Sequence, residues 1–346
     1  MSAKTIIDKQ NNAIDIFIKM RKPKPSIVYD TYWRFAAERQ SVFFNRIKGH
    51  SYPWTNDIII KRFKFTNAYR ATDRVSQYLI REVIYKGKQT PKEVLFRILL
   101  FKLFNKVETW EALSRAVGAI RYETYEYGNY NKILEEIKQK GEPIYSGAYI
   151  MASGRSAFGY PLKHQNHLRL LESIINGNLP EKIQDFNCMK ELYRALIEYA
   201  TIGSFLAYQF ATDINYSNLT QFSEMEFVMP GPGAKDGIRK CFADLGDYSE
   251  EDIIKMMAEY QHHEFDRLEI QFQNLWGRPL QLIDCQNLFC EVDKYSRVAH
   301  PEVNSISNRI RIKQKFSPTS LKPIEYFLPP KWGVRIPAKF ENQLFM

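Results

Sequence analysis

Apolar residues recur at the three- and four-residue spacing of an amphipathic helix along most of this 346-residue chain. A clear stretch is TPKEVLFRILLFKLFNK, residues 90–106, which opens with a Thr-Pro pair that favours a helix start. Its apolar run is short and contains Arg97 and Lys102, so it predicts a buried helix rather than a membrane span. The spacing therefore predicts an all-α protein.

The same periodicity organises the rest of the chain into one helical domain and a tail. It predicts further helices over 29–47, 66–85, 109–120, 130–140, 163–177, 189–214 and 249–268. Asn67 is the candidate N-cap of the second of these helices. From Asn304 onward the sequence becomes basic and proline-containing. We expect a domain over 1–303 and an irregular, extended tail over 304–346 that packs on it.

Residues 228–240, VMPGPGAKDGIRK, place two glycines beside prolines between two helical-looking runs. This predicts a helix-hairpin-helix over about 217–242, with YSNLTQFSEMEFVM as the leading helix. Glycine would let the backbone turn sharply and approach a phosphate, which the free amides of the second helix would then face. The alternative is an ordinary loop between helices. The predicted DNA contacts here are Gly231, Gly233, Lys235, Arg239 and Lys240.

Charge and cysteine usage indicate the class of partner and the compartment. The formal net charge of +10 favours a polyanionic partner. The four cysteines form no CxxC pair, and the N-terminus has no apolar signal core, so a cytoplasmic protein without membrane contact is expected. His164 and His167 lack a third ligand nearby, as do His262 and His263. No metal and no cofactor are predicted.

The hairpin resembles that of the helix-hairpin-helix base-excision DNA glycosylases, whose pattern is Leu-Pro-Gly-Val-Gly-x-Lys. Residues 229–235 follow this pattern, with Met229 at the leucine and Lys235 at the lysine. In lyase-competent members that lysine is the nucleophile, so the resemblance makes Lys235 a catalytic candidate. A phosphate contact is the favoured alternative for Lys235, because Asp236 follows it and would keep its ammonium protonated. A monofunctional enzyme is therefore expected.

Those glycosylases also carry an aspartate downstream, in a stretch like Pro-x-x-x-Val-Asp. Pro279 and Asp284 stand at the matching spacing, after an insertion of about 242–276. The resemblance makes Asp284 the carboxylate that stabilises positive charge on the sugar as the glycosidic bond breaks. A structural role at a helix start is the alternative. The upstream AYRATDRVSQ resembles the Ala-Thr-Asp helix start of these enzymes, which would put Arg70 near a flipped base.

Longer stretches resemble the alpha-glutamyl/putrescinyl thymine pyrophosphorylases. They are residues 33–80, 206–242 and 280–302, which include ATDINYSNLTQFSEMEFVMPGPGAKDGIRKCF and LQLIDCQNLFCEVDKYSRVAHPE. The helical domain of that family also occurs in hydroxymethyluracil DNA kinases, and some relatives resemble antiphage glycosylases. The resemblance implies a glycosylase-like fold that acts on modified bases in phage DNA. A kinase is not expected, because the sequence contains no Gly-x-x-x-x-Gly-Lys-Ser/Thr loop.

A flipped, modified base would need a pocket with stacking and hydrogen-bonding groups. The candidates are Trp33, Phe35, Trp54, Tyr69, Tyr208 and Gln209, although core packing is the alternative for each aromatic. The DNA backbone would need cations. The candidates outside the hairpin are Arg46, Lys61, Arg62, Lys64, Arg70, Arg74, Arg309, Arg311 and Lys313, with ordinary solvation as the alternative.

Three functions remain open at this stage. The favoured one is a monomeric DNA glycosylase that removes a hydroxymethylated or glucosylated pyrimidine from double-stranded phage DNA, in antiphage defence. The second is a transferase that displaces pyrophosphate from an activated hydroxymethyl pyrimidine in DNA, with an amino acid or polyamine as acceptor. The third is a noncatalytic DNA-binding module. Only the first two require Asp284.

Overall fold

The computed structural model describes residues 2–7, 13–18, 21–147, 151–318 and 325–337. Within these ranges the protein is built from α-helices, so the predicted all-α class is confirmed. The helices are α1 Val28–Ile47, α2 Ile58–Arg62, α3 Arg74–Tyr78, α4 Pro91–Phe104, α5 Val107–Val117, α6 Tyr127–Gln139, α7 Arg155–Phe158, α8 Lys163–Ile175, α9 Leu179–Lys182, α10 Met189–Ile197, α11 Ser204–Ile214, α12 Pro232–Cys241, α13 Glu250–Arg267 and α14 Leu282–Ala299.

Two small antiparallel ladders accompany the helices in the described part of the chain. Strand β1 (Ser2–Ile7) pairs with β2 (Ala13–Ile18), and β3 (Lys24–Pro25) pairs with β4 (Phe242–Asp244). The second ladder joins the segment before α1 to the end of α12. The helical periodicity did not predict either ladder.

The buried apolar residues of the described ranges form one continuous core, and two groups of helices pack around it. In one group α12 packs across α14, and α1 and α13 pack on that pair. In the other group α4 lies among α5, α8, α9 and α11. Every residue of α4 from Glu93 to Phe104 is buried, as the sequence predicted for this run. No helix in the described ranges is both long enough and apolar enough to cross a membrane.

Two helix predictions need correction in detail. Asn67 is not an N-cap, because α3 begins only at Arg74; its main-chain N–H instead donates to Asp73 Oδ1 at 2.9 Å. The run 189–214 forms two helices, α10 and α11, rather than one. The helical conformation is interrupted between them, where Thr201 adopts a left-handed φ of 70°.

The leading helix of the predicted hairpin does not form. Residues 216–229 are turns and irregular backbone, and only the second helix, α12, is present. Asn215 explains the difference: its side chain accepts from the main-chain N–H of Phe222 and donates to the Phe222 carbonyl, both at 3.2 Å. Such local side-chain bonds occupy main-chain groups that a helix would use. The loop alternative therefore describes this segment better.

The described parts of the tail, 304–318 and 325–337, contain no α-helix and lie on the domain. Near Phe63 the tail pairs with the main chain, through Lys64 N to Gln314 O and Phe316 N to Arg62 O, each at 3.0 Å. Further on, a single 3-10 turn at Pro330–Trp332 packs against the segment that follows α11. Residues 319–324 and 338–346 of the predicted tail lie outside the described residues.

Candidate active site

Asp284 lies in the first turn of α14 and is almost fully buried. Its Oδ1 accepts the main-chain N–H of Arg70 at 2.8 Å, and its Oδ2 accepts that of Gln281 at 3.0 Å. The second bond is half of a capping box, which explains why the helix begins here. A carboxylate offers about four lone-pair positions, so two remain for a substrate or a water molecule.

Burial raises the pKa of Asp284 to about 6, although the two main-chain donors and Arg278 act in the opposite direction. A carboxyl group with a pKa near neutrality is suited to acid–base or electrostatic work at physiological pH. The structural alternative at a helix start is also present in these contacts. These contacts fit the structural role at the start of α14, and the catalytic role of Asp284 stays a prediction.

Arg70 supports this carboxylate from inside the core and does not face solvent. Its guanidinium Nη1 contacts Asp213 Oδ1 at 2.7 Å and Tyr216 Oη at 3.1 Å, and only 2 % of the residue is exposed. Lys102 Nζ lies 2.7 Å from Asp213 Oδ2. Burial alone would raise the pKa of Asp213, but Arg70 and Lys102 hold it below its usual value. The prediction that Arg70 contacts DNA is therefore wrong for its side chain.

A polar pocket of about 300 Å³ lies near Asp284, although Asp284 is not one of the residues that line it. Gln281 joins the two, because it lines the pocket and donates its main-chain N–H to Asp284. A volume of this size lies at the small end of the range for ligand pockets. The lining residues are Gln221, Phe222, Ser223, Glu224, Arg278, Gln281, Lys331 and Trp332.

One wall of the pocket combines a carboxylate, a guanidinium and an indole. Arg278 Nη2 lies 2.9 Å from Glu224 Oε1, and Trp332 Nε1 donates to the same oxygen at 2.7 Å. The Arg278 guanidinium carbon lies 3.7 Å from the Trp332 ring centroid. Tyr69 Oη donates to the Arg278 carbonyl at 2.6 Å and so fixes this segment. A flat cation beside a strong acceptor is an arrangement that can stack on and hydrogen-bond to a heteroaromatic ring.

Lys331 brings an amine to the same pocket from the tail. Its Nζ donates to the Thr220 carbonyl at 2.8 Å and to Asn215 Oδ1 at 3.2 Å. Burial lowers the pKa of Lys331 to about 8. Sequence reasoning missed Lys331 and Trp332, because a lysine and a tryptophan in an irregular tail carry no motif. Arg278 directly precedes the Pro279–Asp284 motif and Gln281 lies within it, so this motif was a usable signal.

The hairpin glycines pack against neighbouring side chains. A Cβ on Gly231 would lie 2.5 Å from the Phe205 ring, and one on Gly233 would lie 3.1 Å from Cys290 Sγ. Gly231 is the N-cap of α12 and Pro232 is its first residue, as expected for a helix start. Bulkier residues at these glycines would disturb packing directly, so such variants cannot test a phosphate contact.

The three hairpin cations lie in different environments. Lys235 is exposed. Arg239 is exposed and pairs with Glu250 at 3.1 Å. Lys240 is buried and lies 3.3 Å from Asp293 Oδ1, so the prediction that it binds DNA is wrong. Asp236 turns inward and accepts the Ser307 N–H at 2.9 Å, so the reason given for a protonated Lys235 has no support in this geometry.

Of the aromatic residues predicted for a base pocket, Tyr69 and Tyr208 lie near Asp284: burial raises the pKa of each hydroxyl, and the Asp284 carboxylate adds to this rise. Three of the predicted aromatic residues are core residues with at most 2 % exposure, which agrees with the alternative of core packing: Trp33, Phe35 and Tyr208. Tyr69 is also buried and acts through Arg278, as described above. Gln209 is buried on α11, and neither its amide nitrogen nor its amide oxygen has a hydrogen-bond partner among the described residues.

Trp54 lies at a second pocket of about 430 Å³, which shares no lining residue with the first. Its indole N–H donates to the His50 carbonyl at 2.7 Å, and the guanidinium of Arg46 lies 5.1 Å from its ring. Seven of the cations predicted outside the hairpin to contact the DNA backbone are exposed and remain available for that role. They are Arg46, Arg62, Lys64, Arg74, Arg309, Arg311 and Lys313.

Histidines and acids do not cluster in a metal-binding arrangement within the described ranges, where no group of three or more His, Cys, Asp or Glu side chains converges. His167 is buried on α8, with Nδ1 at 3.0 Å from Tyr145 Oη and Nε2 at 2.8 Å from the Ala152 carbonyl. Burial lowers the pKa of His167 to about 4, which keeps the ring neutral.

Comparison with known proteins places most of the chain in one family. The family described as "5-hmdU DNA kinase, helical domain" matches residues 26–305. A protein named 5-hmdU DNA kinase, from Bacillus phage SP10, is 28% identical over 311 residues, which cover 83% of this chain and 48% of the relative. The chain thus spans about half the length of this relative. No solved structure matches the chain. The chain belongs to the family of the 5-hmdU DNA kinase helical domain.

Proposed function

We propose that this protein binds DNA that carries a hydroxymethylated pyrimidine, holds the modified base in the pocket beside Asp284, and cleaves its N-glycosidic bond. One observation supports this proposal most: a buried carboxylate whose pKa is raised to about 6 is hydrogen-bonded to Gln281, a residue in the wall of a small polar pocket. The name of the phage relative makes 5-hydroxymethyluracil the first base to test. Antiphage defence is the biological role that we propose for such an activity.

The chemistry follows from charge. As the bond between C1′ and the base breaks, positive charge grows on the sugar, and the Asp284 carboxylate would stabilise it electrostatically. Water then adds its oxygen to C1′, and the departing base takes up a proton. In the pocket, Arg278 would stack on the base and Glu224 would accept from its N3–H. Because Trp332 makes both of these contacts in the unbound protein, it must yield its position to the base.

A second candidate is the amine transferase, and the family match favours it, because the named relative is a DNA kinase. If the hydroxymethyl group carries a diphosphate, a neutral amine would form a bond to the methylene carbon as the C–O bond breaks, so that pyrophosphate leaves and the nitrogen then loses a proton to water. The Glu224 carboxylate in the pocket wall is suited to hold an ammonium group. The same pocket thus serves both candidates, and only the product distinguishes them.

The first prediction concerns that product. Purified protein should release free 5-hydroxymethyluracil from a duplex that contains it and release nothing from unmodified DNA, as measured by mass spectrometry of the small-molecule fraction. An increase in the mass of the DNA together with released pyrophosphate, in the presence of an amine and the activated base, would establish the transferase instead. If the protein binds DNA but forms neither product, it would act as a noncatalytic DNA-binding module.

The second prediction concerns the two lysines. We expect borohydride to trap no covalent protein–DNA adduct, because Lys235 is exposed and does not line the pocket. The Lys235→Gln variant should weaken DNA binding and leave the rate of base release at saturating DNA unchanged. An adduct lost in Lys235→Gln would contradict this prediction. An adduct lost only in Lys331→Gln would identify the tail amine, whose lowered pKa favours nucleophilic attack, as the reacting group.

A further inference from the structure

Four cations stand in alternation along one extended segment of the tail. Arg309, Arg311, Lys313 and Lys315 occupy every second position and all are exposed. Side chains two residues apart point to the same side of an extended chain. The residues between them are Ile310, Ile312 and Gln314, of which Ile312 is half-buried and the other two are exposed. The half-buried Phe316 follows the last cation. We call the four cations the basic row.

Main-chain contacts on three sides hold the segment in place. The Ser307 N–H donates to Asp236 Oδ1 at 2.9 Å, and Arg297 Nη1 donates to the Arg311 carbonyl at 2.9 Å. Gln314 and Phe316 form the main-chain bonds to the segment around Phe63. The Phe316 ring also packs on Tyr52 and Trp54. The backbone is thus fixed, and these contacts leave the four basic side chains free to bind a partner.

Positive charge is concentrated in this region of the described chain, although Asp57 precedes the paired segment and Asp236 contacts Ser307. The paired segment adds Lys61, Arg62 and Lys64, and neither 58–65 nor 304–318 contains an acidic residue. In the ranges that the structure describes, none of these seven cations forms an ion pair with a carboxylate. Like charges held side by side repel each other, so an ordered row of them is unfavourable unless a polyanion binds it.

We infer that the basic row binds the phosphodiester backbone of duplex DNA. Six residue steps of extended chain span about 20 Å, which corresponds to roughly six base-pair steps along the axis of a duplex. The family match ends at residue 305, so the row lies outside the part of the chain that the match covers. The inference shares with the proposed function the premise that DNA is the partner. It adds a surface that binds without regard to base modification.

The test is the salt dependence of binding to an unmodified duplex. Changing all four cations of the row to Gln should flatten the plot of log affinity against log salt by roughly 3 to 4, since each phosphate contact contributes about 0.9 to the slope. A matched control changes four other exposed cations to Gln. Arg115 lies on α5, Lys132 and Lys138 lie on α6, and Lys140 directly follows α6. The control removes the same net charge and should keep the parent slope.

Two outcomes would overturn the inference. An unchanged slope in the row variant would show that the row does not touch DNA, and an equal change in both variants would indicate only an effect of total charge. A variant with each Arg of the row changed to Lys and each Lys to Arg should bind like the parent, which excludes loss of folding as the cause. Because the duplex is unmodified and binding is the readout, this test can fail while base release succeeds, and the reverse.

Discussion

Asp284→Asn should lower the rate of base release by about a hundredfold or more, while DNA binding remains. The physical reason is the loss of a negative charge beside a sugar that becomes positive in the transition state, and a hundredfold loss corresponds to about 2.7 kcal/mol. The measurement is single-turnover base release at saturating DNA. Binding should survive, because the row of surface cations and the pocket wall are unchanged.

A matched control separates chemistry from helix capping. Asp252 occupies the same position in the first turn of α13, where it accepts the Ser249 N–H at 3.0 Å in a capping box. Asp252→Asn should therefore reproduce the loss of a capping carboxylate without any loss of base release. If Asp284→Asn releases base at the parent rate, the active site lies elsewhere in the protein.

The pH dependence of the same reaction provides a second readout. Asp284 would act in its ionised form, and its pKa is raised to about 6. The rate of base release should therefore reach its full value above about pH 6. Below it the rate should fall by about tenfold for each unit of pH, as the carboxylate becomes protonated. A rate that stays constant between about pH 5 and about pH 8 would contradict a role for an ionised Asp284.

Short sequence patterns predicted those features of the structure that depend on residues close together in the chain. Thr90 and Pro91 stand at the start of α4 as their sequence indicates, because a cap and a first-turn proline act within a few residues. The position of Asp284 at the start of a helix also follows from a short motif. The segment after α11 failed as a helix prediction because Asn215 engages the main chain at Phe222. Helical spacing of apolar residues does not reveal such competition.

Long-range pairing is what the sequence could not reveal. Arg70 and Lys240 look like surface cations in a basic chain, yet each is buried against an aspartate, Asp213 and Asp293, that lies 143 and 53 residues away. Lys331 and Trp332 reach the pocket only because the tail folds back on the segment that follows α11. Which cations face DNA and which residues complete a pocket therefore depends on packing that local patterns do not encode.

The close contact between α12 and α14 sets the position of the site, and Gly237 makes that contact feasible. A Cβ at residue 237 would lie 2.0 Å from the Phe289 carbonyl oxygen, and a backbone atom cannot move aside as a flexible side chain can. Gly237→Ala should therefore destabilise the fold by about 3 kcal/mol or more, at the upper end of overpacking effects. The measurement is the midpoint of chemical denaturation.

Gly128→Ala provides the matched comparison for this prediction. Gly128 also lies in a helix, α6, and a Cβ there would meet no atom within 4 Å. Alanine at that position should raise stability by roughly 0.5–1 kcal/mol, because it restricts the unfolded chain and suits a helix. If the alanine substitution lowers stability at residue 237 and raises it at residue 128, the loss at Gly237 is caused by the contact between α12 and α14. If both variants unfold at the parent midpoint, α12 and α14 do not approach as closely as described, and Asp284 would lose the support that fixes it beside the pocket.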